Sequence, residues 1–144
     1  MGVESDDPTD VSTIVVAADD VISALESASR GGRETVLRIT PPFSGRMRAR
    51  IHVPVDDEYE ETPAPIHVPP EDLVTDSAPA FPTPASTEDE LRADPEETYS
   101  RDRHHSYHAE RVDAWRERLR AHIVETTELD TPAGPHEVTV AVLG

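Results

Sequence analysis

Residues 46–53, Arg-Met-Arg-Ala-Arg-Ile-His-Val, alternate strictly between charged or polar side chains and apolar ones. Because successive side chains of a β-strand point to opposite faces, this period of two predicts a strand with one face on the core and one in solvent. The predicted core residues are Met47, Ala49, Ile51 and Val53, and the solvent face carries Arg46, Arg48, Arg50 and His52.

Upstream of this strand the pattern predicts further elements. Residues 34–40 are strand-like and would pair with 46–53 as a hairpin, because the turn-forming residues 41–45 lie between them. Residues 11–16 form an apolar run typical of a short buried strand. A helix should follow from an N-cap at Asp19 and end at a glycine C-cap at 31–32.

Downstream, Asp94-Pro95-Glu96-Glu97 is a helix-start pattern. The predicted helix runs on without glycine or proline until Pro132, where the turn residues 132–135 end the region. A last strand is expected over 137–143. The helix carries an apolar stripe at spacings of three and four residues, made of His108, Val112, Trp115, Leu119 and Ile123.

Proline and acidic residues dominate the middle of the chain. Residues 54–99 hold 9 of the 14 prolines and 14 carboxylates, with Arg92 as their only basic residue. Strand interiors do not tolerate this proline density, so the pattern predicts a long surface excursion. Two local helical turns are expected in it, at residues 70–73 and from a capping box over 87–90. Ile-His-Val-Pro occurs twice, at 51–54 and 66–69, which we interpret as chance or a repeated strand end.

Together these elements predict an α+β fold, a small mixed sheet packed by two helices, with a long Pro-rich acidic excursion. We expect an acidic disordered tail over residues 1–10. A single α+β domain should follow over 11–144, interrupted by the Pro-rich acidic segment 54–94.

The charge of the chain is strongly one-sided. Thirty acidic residues oppose 13 basic ones, all arginine, for a net charge of −17. Self-repulsion at such a charge destabilises a compact state, and salt relieves it because the Debye length falls to about 3 Å at 1 M. The composition predicts a protein of a salt-filled, halophilic cytoplasm. The alternative is an acidic, disordered protein from a GC-rich genome, which would also prefer arginine to lysine.

Residue types and patterns that the sequence lacks exclude several kinds of site and function. The absence of cysteine excludes disulfides and thiolate metal sites. No apolar run reaches the roughly 20 residues that span a bilayer, and residues 1–10 lack a signal-peptide pattern. We therefore expect a cytoplasmic protein with no membrane partner. No catalytic motif stands out, so we expect no cofactor and a non-enzymatic role.

The first candidate site is a cluster of arginines. Residues 30–50 hold six arginines against Glu34 alone, a local charge of +5. Three interpretations stay open: pairing with the protein's own carboxylates, binding of an acidic protein, and binding of nucleic acid. High salt weighs against nucleic acid, because counterion-driven binding weakens by orders of magnitude as salt rises. The candidate residues for binding a polyanion or a partner are Arg38, Arg46, Arg48 and Arg50.

The second candidate is a pair of histidines. His104 and His108 lie one helical turn apart, a spacing that can hold a metal ion. No glutamate occupies the general-base position between them, so a solvated helix face is the alternative.

Two stretches also carry a family resemblance. Thr40-Pro41-Pro42-Phe43-Ser44-Gly45-Arg46-Met47-Arg48-Ala49-Arg50 and Leu129-Asp130-Thr131-Pro132-Ala133-Gly134-Pro135-His136-Glu137-Val138 resemble a family of small acidic haloarchaeal proteins of unknown function. The resemblance extends over most of the chain past Val11. It implies a halophilic setting and nothing about chemistry. From the residues we expect a non-enzymatic protein-interaction or accessory module; the alternative is a nucleic-acid-associated protein that uses an arginine-striped strand.

Overall fold

The computed structural model describes residues 4–55 and 62–144. Two compact units emerge: Met1–Asp76 with Ile123–Gly144 form the first unit, and Ser77–His122 form the second. The described residues contain three α-helices and two small sheets, which confirms the α+β class. The organisation as one interrupted domain stays a prediction, and the units are described separately.

The first unit contains both sheets and one helix. Its four-stranded sheet has the order β3-β1-β7-β6, in which β1 is parallel to β3 and β7 while β6 is antiparallel to β7. Its three-stranded sheet is antiparallel, with the order β4-β2-β5. The elements are β1 Thr13–Ala17, α1 Ala18–Ser29, β2 Val36–Ile39, β3 Arg46–Arg48, β4 Arg50–His52, β5 Ile66–Val68, β6 Thr126–Thr131 and β7 Gly134–Leu143.

Side chains from both sheets and from α1 meet in a single core. Ile14 and Val16 come from β1, Leu37 from β2 and Val140 from β7. Helix α1 begins at Ala18, one residue before the predicted cap, and its N-cap residue Ala17 makes no side-chain bond. Burial of its apolar face, and not a capping side chain, therefore holds this helix.

The predicted strand over 46–53 is two short strands in different sheets. Residues of β3 pair in parallel with β1, and residues of β4 pair antiparallel with β2. Ala49 links them; it is fully buried, and its amide donates to the Val15 carbonyl at 2.9 Å. The prediction of four core residues was therefore wrong in its second half: Ile51 is 41% exposed and Val53 is 38% exposed. Past Ala49 the chain lies at the edge of the second sheet, where the apolar side chains have little to cover them.

The C-terminal hairpin was only half predicted. Strand β7 matches the expected last strand, but β6 occupies residues that had been assigned to no strand. The turn residues 132–135 connect two strands and do not end a helical region. Gly134 has a φ of +105°, a conformation that favours glycine. Thr131 fixes the turn, since its hydroxyl donates to the Gly134 carbonyl at 2.6 Å.

Parts of the predicted tail and excursion have regular structure. Pro70–Leu73 forms a 3₁₀ turn, which confirms the predicted helical turn there. In the tail, Pro8–Asp10 is another 3₁₀ turn, and the backbone groups of Ser5 and Phe43 bond each other in both directions at 2.7 Å.

The second unit contains helices α2, Pro84–Ala93, and α3, Arg101–Arg120. Both begin away from their predicted starts. Helix α2 is capped by Thr83 with Ser86, not by a box over 87–90. Helix α3 is capped by Ser100, whose hydroxyl accepts from the Arg103 amide at 3.0 Å. The predicted cap Asp94 instead follows the end of α2, where its carboxylate accepts from the Glu96 amide and closes a turn.

Trp115 anchors the second unit, as the stripe predicted. It is buried together with Val112 and Leu119 on α3. Its ring meets Phe81 edge-to-face at 4.9 Å, and its indole nitrogen donates to the Pro79 carbonyl at 2.9 Å. Among the described residues, no helix has both the length and the apolar character that crossing a bilayer requires.

Candidate partner-binding face

The three arginines expected on one strand face are divided between the sheets. Arg46 and Arg48 lie on β3, whereas Arg50 lies on β4. Arg48 is half-buried, and its guanidinium lies 3.9 Å from the Asp20 carboxylate on α1. Its Nε atom is buried and has no hydrogen-bond acceptor among the described residues. A continuous stripe of Arg46, Arg48 and Arg50 was therefore the wrong geometry, although the binding role of these residues stays a prediction.

The structure instead brings Arg50 beside Arg38. The antiparallel register of β2 and β4 places the two residues directly opposite each other. On the other side of β2, the register places His67 of β5 opposite Arg38. Arg38 Nη1 lies 3.3 Å from His52 Nε2, and the rings of His52 and His67 are 5.6 Å apart. We call this group the Arg–His face: Arg38, Arg50, His52 and His67.

The strand pattern explains why this face exists. On β2, Leu37 and Ile39 are fully buried in the core, so the intervening Arg38 points away from it. On β5, burial of Ile66 and Val68 directs His67 outward in the same way. The face is therefore fixed by the core that lies behind it.

The sequence analysis placed His52 on the solvent face beside the arginines but missed His67, although a signal existed. The repeated Ile-His-Val-Pro motif supplies both: residues 51–54 and 66–69 contribute to β4 and β5, which flank β2 on its two sides. A repeated strand end thus brings two imidazoles toward one arginine. The repeat therefore marked the two strands that flank β2, which a match of only four residues had not indicated.

The arginines of residues 30–50 differ in whether a carboxylate lies close to them. Arg30 pairs with Glu26 at 3.2 Å and Arg48 lies near Asp20, so two members face carboxylates of α1. Arg50 is exposed, and no carboxylate of residues 4–55 or 62–144 lies within ion-pair distance of it. Like charges directly opposite each other on neighbouring strands repel, and the register sets Arg38 opposite Arg50.

The candidate metal histidines lie in the second unit around a buried hydroxyl. Thr87 of α2 is fully buried, and its Oγ1 lies 3.0 Å from His104 Nε2 and 2.9 Å from His108 Nδ1. It also lies 3.2 Å from the Thr83 carbonyl. Because a hydroxyl supplies one proton, at least one imidazole nitrogen is the donor. We call this group the Thr87 cluster.

The Thr87 cluster bears on the metal hypothesis. A metal ion between the two facing nitrogens would take the place of the Thr87 hydroxyl. Within the part of the chain that the structure describes, no group of three or more His, Cys, Asp or Glu side chains could hold a metal ion. The sequence analysis missed Thr87 because a threonine at a helix start suggests a cap.

Ion pairs and hydrogen bonds add further links in the second unit. Arg103 Nε lies 3.1 Å from both carboxylate oxygens of Glu97, and this contact lowers the pKa of Glu97. Glu90 of α2 accepts from Arg111 and from the Tyr107 hydroxyl, each at 2.9 Å, and these bonds lower its pKa. Burial, followed by the bond to Glu90, raises the pKa of Tyr107. These links tie α3 to α2 and to the loop before it.

Comparison with known proteins gives one match. A family model described as a domain of unknown function, DUF8009, matches residues 1–144. No curated protein and no solved structure matches the chain. Since the family model covers every residue, the chain belongs to the DUF8009 family.

Proposed function

We propose that this protein is a non-enzymatic protein-interaction module of a halophilic archaeal cytoplasm, and that its Arg–His face holds an acidic segment of a partner protein. The observation that carries the proposal is the cross-strand pairing of Arg38 with Arg50. We expect an anion bound at this pair to offset the repulsion between two arginines set opposite each other. Carboxylates suit this role because arginine binds them through two parallel hydrogen bonds.

Salt helps to choose among possible anions. At molar salt only close, geometrically matched contacts persist, because longer-range attraction is screened. A nucleic acid would need a row of evenly spaced cations along its backbone, and the division of Arg46, Arg48 and Arg50 between two sheets removes the row that suggested it. A short acidic peptide segment needs only the few neighbouring cationic side chains of the Arg–His face.

The test is a binding titration in 1 M KCl with two fluorescent probes, a ten-residue peptide of alternating glutamate and alanine, and a single-stranded DNA 20-mer. Arg38→Gln/Arg50→Gln should weaken peptide binding at least fivefold. The matched control is Arg33→Gln/Arg118→Gln, which removes the same charge from two exposed arginines outside the candidate binding residues. The affinity of this control variant for the glutamate peptide should stay within twofold of the affinity of the unchanged protein.

Stability separates partner binding from internal pairing. Arg50→Gln should leave the free energy of unfolding unchanged or raise it by up to about 1 kcal/mol, because one of two opposed charges is removed. A loss of stability would instead show that the protein's own carboxylates neutralise the face. Tighter binding of DNA than of peptide, with a log–log salt slope that becomes shallower in the double variant, would favour the nucleic-acid alternative.

A further inference from the structure

An open cavity of about 870 Å³ lies in the first unit, and none of its lining residues belongs to the Arg–His face. Its apolar lining includes Phe43, Pro63, Pro65, Ile66 and Pro132. Four carboxylates line it as well: Asp6, Asp7, Asp10 and Asp130. We call it the apolar groove. Its volume falls in the upper part of the range of roughly 300–1,000 Å³ that is typical of ligand sites.

Two of the four carboxylates that line the groove accept hydrogen bonds from neighbouring side chains, and the other two do not do so within the described residues. Asp7 accepts from the amide and hydroxyl of Thr9, and Asp10 accepts from the Ser5 hydroxyl. Asp6 and Asp130 are exposed and make no side-chain hydrogen bond or ion pair with another described residue. Among the described residues, the lining includes no basic side chain. The groove therefore offers apolar surface beside negative charge.

We propose that the apolar groove binds an extended, arginine-containing peptide segment of another protein. An arginine side chain matches this surface, because its methylene stem packs on apolar groups while its guanidinium reaches a carboxylate. The volume leaves room for neighbouring side chains, which favours a peptide over a single small cation.

The experiment is a fluorescence-anisotropy titration in 1 M KCl with a labelled ten-residue peptide of alternating arginine and alanine. Asp6→Asn/Asp130→Asn should weaken binding at least tenfold. The matched control is Glu34→Gln/Asp89→Asn, which removes two exposed carboxylates elsewhere and should change affinity less than twofold. Ala64→Trp fills the groove from an exposed lining position and should abolish binding while all charges remain. Circular dichroism should show the same fold for every variant.

Several results would overturn this proposal. Equal weakening by the control variant would show non-specific attraction to a polyanion. Undiminished binding to Ala64→Trp would place the peptide elsewhere. Equally tight binding of arginine ethyl ester would identify a small cation as the ligand, and concentration-dependent dimerisation lost in Ala64→Trp would identify a second copy. Failure of the glutamate peptide to bind the Arg–His face would leave this result untouched, because the two sites share no residue.

Discussion

Thr87→Val tests whether the Thr87 cluster holds the second unit together. Valine keeps the shape of threonine but removes the hydroxyl that lies 3.0 Å from His104 and 2.9 Å from His108. Each hydrogen bond contributes a net of about 0.5–1.5 kcal/mol. Both histidines are half-buried and keep some access to water, which replaces part of what is lost. We therefore expect the free energy of unfolding to fall by about 1–2 kcal/mol.

Urea unfolding in 1 M KCl measures this loss. Trp115 is the only tryptophan and lies in the second unit, so its fluorescence reports on that unit. With an m-value of about 1–3 kcal/mol per molar, the urea midpoint should fall by roughly 0.3–2 M. In a His108→Leu background the same substitution should cost less than half as much, because one bond is already absent. Equal costs in both backgrounds, or no cost at all, would refute the assigned role.

Three further predictions follow from charge and from the histidines. Helix content by circular dichroism, and the cooperativity of unfolding, should rise from low to molar KCl, and full cooperative structure in dilute buffer would remove the halophilic interpretation. Zinc or nickel should produce no specific rise in melting temperature; a one-to-one metal site lost in His108→Ala would show that His104 and His108 do bind metal. Because Arg103 lowers the pKa of Glu97, their pair stabilises the fold fully above the ordinary glutamate pKa of about 4.3, and its contribution is lost as pH falls through the lowered value. Glu97→Gln should therefore flatten the decline in stability below about pH 4.5, and an unchanged decline would contradict this assignment.

Local patterns predicted those parts of the fold that depend on one element alone. Strand-like sequence located β2 within residues 34–40, and helical spacing identified Trp115 as an anchor. These predictions succeed because the apolar residues of a buried strand face or helix stripe recur at a fixed period in the sequence.

What local patterns could not predict depends on pairing between distant strands. The alternation of 46–53 continues across Ala49, yet the hydrogen-bonding partner changes there from β1 to β2. Strand β6 was missed because its polar sequence Thr-Thr-Glu-Leu-Asp-Thr buries only Leu129. The Arg–His face likewise arises from register, which places residues 38, 50 and 67 side by side although the sequence separates them.

The pairing of β1 with β7 has a consequence for how the protein is made. Thr13 pairs with Thr139, a separation of 126 residues, since 139 − 13 = 126. A ribosome that adds 5–20 residues per second takes roughly 6–25 s to synthesise that interval. During this time β7 is not yet available, so the edge of β1 that pairs with it leaves its backbone N–H and C=O groups without their sheet partners. The four-stranded sheet can therefore be completed only after β7 has been synthesised.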